Sequence, residues 1–97
     1  MAPEARQRLD KWLWFARMAR TRTLAAELIA RGYVRVDGKR AEKDAKLVGP
    51  GNVLTLALAR KTVVLEILDC AERRGPYSEA SQLYRVIEGD PKEAESQ

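Results

Sequence analysis

Three arginines, Arg17, Arg20 and Arg22, stand around the hydroxyls of Thr21 and Thr23, and Lys39, Arg40 and Lys43 follow an Asp37-Gly38 pair. Guanidinium forks and ammonium groups set beside hydroxyl donors suit one chemistry above others, the binding of phosphate oxygens. Arg8 and Lys11 precede them and can face the same partner, and Lys46 lies close behind Lys43. Thr21 is also placed to cap a helix, whose first N–H groups and partial positive charge favour an anion. The reading requires residues far apart in the chain to meet on one rim. Taken singly, each Lys or Arg would serve equally well as a solvated surface charge. As a cluster they point to binding, because a solvating surface intersperses both signs.

Catalysis finds less support. The chain has no histidine, so the usual general base is missing. Ser78 and Ser81 have no visible base partner. Cys70, the one cysteine, reads as a small buried hydrophobe, and it cannot form an intrachain disulfide. Nothing has metal-ligand spacing, and no glycine-rich phosphate loop or Walker motif occurs; VDGK is a hairpin turn. No catalytic residue, cofactor or metal is therefore expected. No apolar run is long enough to span a bilayer, and MAPEARQRLD lacks the apolar centre of a signal peptide, so a cytoplasmic location is the default expectation.

Charge is distributed unevenly. Residues 1–46 carry 12 Lys/Arg against 6 Asp/Glu, whereas residues 47–97 carry 6 against 8, within a net charge of +4 over 97 residues. A basic front half and a mildly acidic back half suggest a nucleic-acid face rather than uniform solubilising charge.

The elements that must position these residues follow from periodicity. Leu9, Trp12, Leu13 and Ala16 fall at helical spacing and predict a first helix. Trp14, Phe15 and Met18 form a second apolar side, to be covered by another element or used as a contact patch. Trp12 reads as core, and Trp14 reads as a packing residue more readily than as a base-stacking one. Thr21 caps a second helix with Leu24, Ala25, Leu28 and Ile29 on its apolar face, ended by a left-handed Gly32. The period then changes to two. Tyr33 to Val36 predicts a strand, Asp37-Gly38 a two-residue hairpin turn, and Lys39 to Ala41 its return. GPGN turns the chain again, into strands over 53–58 and 62–68. Ser78 would cap a short last helix with Ala80, Leu83, Tyr84 and Ile87 as its packing side. The expected fold is α+β, two helices on a small antiparallel sheet with a short C-terminal helix. Residues 8–68 would form the binding domain, 69–88 a loop and helix packed on it, and 1–7 and 89–97 flexible ends.

RLDKWL, then TRTLAAELIARGYVRVDGK, then the Lys-rich crossing into VGPGNVLTL together resemble the RNA-binding domain named after small-subunit ribosomal protein S-four, the alpha-L motif, from about Arg8 to Leu58. With RRGPYSEASQLY the likeness narrows to the ribosome-associated fifteen-kilodalton heat-shock family and runs through most of the chain. The resemblance implies a loop–helix face that grips structured RNA, formed here by Arg8, Lys11, Arg17, Arg20, Thr21, Arg22, Lys39, Arg40 and Lys43. It implies ribosomal RNA of the large subunit as partner, with nascent-chain transfer RNA close by, and a role in ribosome rescue or recycling under heat stress. A monomer without cofactor is expected. Two features depart from the family. Asp37-Gly38 stands where Asn-Gly is frequent, and Glu88 to Gln97 holds four acids and one Lys where the best-known relative has a long basic extension. Two rival readings accompany this one. The chain would be an RNA-targeting subunit or fragment of an RNA-modifying enzyme, or a protein adaptor acting through Trp14, Phe15 and Met18. Charge alone does not separate RNA from DNA; a contact to the 2′-hydroxyl would.

Overall fold

The computed structural model describes residues 5–58 and 61–91. Its elements run β1 (Gln7–Arg8), α1 (Leu9–Phe15), α2 (Arg22–Ala30), β2 (Val34–Val36), β3 (Lys39–Arg40), β4 (Leu47–Val48), β5 (Val53–Ala57), β6 (Thr62–Ile67), α3 (Tyr77–Ala80) and β7 (Tyr84–Glu88). Five strands form an antiparallel sheet in the order β3-β2-β5-β6-β7, and β1 pairs with β4 separately. The architecture is the expected α+β fold.

Alternation along the strands decides which face is dry. Val34, Leu54, Leu56, Val63, Leu65 and Ile67 point inward and are buried, while Arg35 and Thr62 alternate with them on the open face. Leu9, Trp12 and Leu13 of α1 and Ala25 and Ile29 of α2 close over the inner face. The Trp12 indole also finds a polar partner, donating Nε1–H to the Asp69 carbonyl at 2.9 Å.

Both long helices end in the same way. At the end of α2 the Gly32 N–H donates to Ile29 and the Tyr33 N–H to Leu28, with Gly32 at φ +81°, a Schellman motif. At the end of α1 the Arg17 N–H donates to Trp14 and the Met18 N–H to Leu13, with Arg17 at φ +62° where glycine is usual. The Asp37-Gly38 turn has positive φ at both residues, 51° and 84°, as a twisted hairpin requires.

Several expectations need correction. Gln7 is not in a loose arm. It pairs with Val48, and its side-chain Nε2 donates to the Ala71 carbonyl at 2.7 Å. The last helix stops at Ala80, and a single 3₁₀ turn over Ser81–Leu83 leads into β7, which pairs with β6. Tyr84 and Ile87 are therefore strand residues. Their apolar positions fit either period over so short a run, and the open edge of β6 decides in favour of a strand. Ser78 lies inside α3 and does not cap it; Pro76 occupies the N-cap. Phe15 and Met18 are buried and Trp14 is half-buried, stacked on Phe15 at 5.4 Å, so the three do not form an exposed patch. The expected loose residues 1–4 and 92–97 lie outside the described residues.

Candidate nucleic-acid interface

A buried acid organises the basic residues near the two helix starts. Among the described residues Asp10 is the one charged side chain that is buried, at 2% exposure. Its Oδ1 accepts from Arg8 Nε at 3.1 Å and from the Lys11 backbone N–H at 2.7 Å. Its Oδ2 accepts from Arg8 Nη2 at 3.0 Å and from Arg22 Nε at 3.4 Å. Burial pushes the Asp10 carboxyl up, but the hydrogen bonds from Arg8 and the Lys11 N–H, with the Arg22 and Arg8 charges, outweigh it and hold it below its ordinary value. The same hydrogen bond raises the pKa of Arg8. Asp10 thus ties Arg8, at the start of α1, to Arg22, at the start of α2.

The N-terminus of α2 is partly spoken for. The Thr21 hydroxyl accepts the Leu24 N–H at 3.0 Å, the expected cap, and so consumes one donor that an anion would use. The charge of Arg8 and Arg22 is also partly answered. Arg8 and Arg22 face Asp10, and Asp44 stands 3.9 Å from Arg8.

The cationic surplus lies next door, in an open cleft of about 710 Å³ between the β2–β3 hairpin and the turn that leads into β4. Arg6, Lys39, Arg40, Lys43 and Lys46 line it against two acids, Asp37 and Glu42. Asp37 is engaged internally: its carboxylate accepts from the Val53 N–H at 2.9 Å and from Asn52 Nδ2 at 2.7 Å. An aspartate here braces the hairpin against the GPGN turn, which an asparagine would do with one acceptor oxygen fewer.

The two regions are stitched together by backbone. The Leu9 N–H donates to the Lys46 carbonyl at 2.8 Å and the Asp10 N–H to the Asp44 carbonyl at 3.1 Å. The turn carrying Lys43 and Lys46 is thereby clamped on the start of α1, and β1–β4 pairing extends the clamp.

Of the nine residues expected at the site, Arg8, Arg22, Lys39, Arg40 and Lys43 come together through this clamp and cleft. Arg40 also closes the far end of α2, donating Nη2 to the Ala30 carbonyl at 3.2 Å. Thr21 stays beside Arg22 as its cap residue. Lys11 does not join the cleft; its ammonium sits 5.8 Å over the Phe15 ring. Arg17 turns to the C-terminal loop, donating Nε to the Gly75 carbonyl at 2.8 Å. Arg20 lines a separate groove beside Leu24 and Tyr33. Sequence reasoning missed Arg6 as a cleft residue and Asp10 as the organiser. The one available signal was an acid at the third position of RLD, inside an apolar stripe.

Among the described residues no three of His, Cys, Asp and Glu gather closely enough to hold a metal ion, and no helix is long and apolar enough to cross a membrane. Cys70 is half-buried, and burial, then Asp69, raise its thiol pKa, which suits a packing role rather than a nucleophile.

The chain matches the S4 domain model over residues 7–54. It is 43% identical over 84 residues to heat shock protein 15 of Escherichia coli strain K12, covering 84% of this chain and 61% of that protein. It is 37% identical over 84 residues to the RQC P-site tRNA stabilizing factor of Halalkalibacterium halodurans, covering 87% of this chain and 93% of that one. The trimeric structure of Vibrio cholerae heat shock protein 15 superimposes with a TM-score of 0.80 at 38% identity, over 86% of this chain and 83% of that one.

Proposed function

From the premise that this chain belongs to the S4 domain family, among the relatives of heat shock protein 15, we propose that it is a non-catalytic RNA-binding protein. It docks on structured ribosomal RNA of the large subunit, in rescue or recycling of stalled ribosomes under stress. The observation that carries this reading is the lysine-lined cleft clamped to the Asp10-ordered arginines. Five cations against two acids form a preformed ridge suited to phosphates on a folded RNA surface. Arg8, Lys11, Arg17, Arg20, Thr21, Arg22, Lys39, Arg40 and Lys43 remain the proposed contact set. Within it the geometry favours Arg8, Arg22, Lys39, Arg40 and Lys43, with Arg6 and Lys46 added. The name of the Halalkalibacterium relative points to transfer RNA in the P site, so we place nascent-chain transfer RNA beside the ribosomal RNA in the same reading.

Crosslinking in cells, followed by sequencing of the attached nucleic acid, tests it. The expected result is enrichment of large-subunit ribosomal RNA at discrete positions, with transfer RNA as a second species. Recovery of DNA, or of messenger RNA without preferred positions, would overturn the proposal.

A further inference from the structure

The flank of α2 that faces away from the lysine cleft carries a second feature. Ala26 and Ala30 face the turn over residues 42–45. Leu24, Leu28 and Arg31, at i, i+4 and i+7, lie on the opposite flank and border a groove of about 160 Å³. Leu24, Leu28, Tyr33 and Leu58 form its walls, and the buried Met18 lies beneath. The Schellman motif explains why Tyr33 stands there: its N–H closes on the Leu28 carbonyl, which draws the ring against that leucine. Yet 43% of Tyr33 and 39% of Leu24 stay exposed, so the ring has an uncovered surface.

Size and charge together select an occupant. Ligand sites for drug-sized molecules run to roughly 300–1,000 Å³, so this groove admits about one heterocyclic ring and no more. Arg20 and Arg31 line it as well, cations suited to the phosphates that flank such a ring. Glu27 also lines the groove, an acceptor suited to the N–H donors of a base. Arg20 also adjoins Thr21 and Arg22, so an RNA strand crossing the start of α2 passes the groove mouth.

We infer that the groove between α2 and Tyr33 takes a single unpaired nucleobase of the bound RNA, stacked on the Tyr33 ring with its flanking phosphates on Arg20 and Arg31. The inference rests on the RNA-binding reading above and adds to it a preference for bulged over fully paired helices. Unstacked bases held on aromatic rings are how proteins read single-stranded positions in a folded RNA, and each such stack is sensitive to removal of the ring.

The test uses the full chain and two RNA hairpins that differ only in one bulged cytidine, titrated by fluorescence anisotropy at fixed salt. The parent is expected to bind the bulged hairpin at least about fivefold more tightly. Tyr33→Ala should erase that preference and leave affinity for the paired hairpin unchanged; Tyr33→Phe, which keeps the ring, should retain it. Equal binding of the two hairpins by the parent, or a preference that survives Tyr33→Ala, would overturn the groove assignment while leaving RNA binding in place. Failure to bind either hairpin even at low salt would overturn the RNA-binding reading itself, and the groove assignment with it.

Discussion

Replacing Asp10 by asparagine isolates the group on which both arginines of the helix starts converge. Asparagine keeps the shape and one acceptor for the Lys11 N–H, but loses the charge that Arg8 grips through two nitrogens and Arg22 through one. Charge-assisted hydrogen bonds contribute about 1.5–3 kcal/mol each when fully buried. Here the arginine side chains are 43% and 40% exposed, so water replaces much of what they lose, and solvent screening reduces the figure. A net loss of about 1–2 kcal/mol at neutral pH follows, or a fall in Tm of about 5–15 °C for a domain of this size. The pH dependence supplies the control. The Asp10 carboxyl lies below its ordinary value of 3.8 in the folded chain, so its stabilisation is complete above that value and disappears as pH falls through the lower, folded one. Thermal unfolding of both proteins followed by circular dichroism should show a Tm gap that is constant from neutral pH down to the ordinary carboxylate range and narrows as pH falls below it. Other carboxylates titrate in both proteins and cancel in the difference. A gap that stays constant down to the lowest pH, or no gap at pH 7, would refute the account of Asp10 as a charged organiser.

Three further outcomes are expected. Lys39→Ala and Lys46→Ala should each weaken RNA binding and lower the slope of log K against log salt by about one; an unchanged slope for both would contradict the cleft. Arg22→Ala should weaken RNA binding and flatten the salt slope with the fold retained; a variant binding as tightly as the parent across a salt series would remove Arg22 from the contact set. At Arg17, alanine should cost about 1 kcal/mol through the lost bond to the Gly75 carbonyl, while glycine, which also relieves a left-handed backbone worth about 1–2 kcal/mol, should be neutral or stabilising; urea unfolding that ranks alanine above glycine would refute the strain.

What could be read from residues alone divides along the range of the interactions. Helix stripes, the Thr21 cap, Gly32 and the Asp37-Gly38 turn are local, fixed within a few residues, and each is found where periodicity and turn chemistry put it. The strand at Tyr84 was not legible, because only pairing with Val64–Ile67, some twenty residues earlier, makes that short apolar run extended. Arg17 shows the same limit. Sequence groups it with Arg20 and Arg22 and gives no sign of its left-handed backbone or of the carbonyl 58 residues away to which its Nε donates. The site itself was half legible. Which residues are basic is written in the chain, but which of those charges are already answered by an acid depends on Asp10 being drawn into the core by the Leu9–Trp12–Leu13 stripe around it.

That last dependence shapes how the surface can work. At the helix starts Arg8 and Arg22 meet a buried acid, and Arg8 a nearby exposed one, so the pull of these two arginines on RNA at a distance is reduced. The lysines of the cleft, Lys39, Lys43 and Lys46, carry their charge on side chains with many rotamers and little directional preference. Long-range attraction and precise geometry are therefore supplied by different residues. The lysine cleft suits capture, which is salt-sensitive and indifferent to sequence. Arg8 and Arg22, held by Asp10 in fixed orientations, suit register, because a guanidinium whose position is already set loses less freedom when it meets a phosphate. An acid inside a basic rim lowers its net charge, and what it returns is a pair of guanidinium groups whose positions are set in advance.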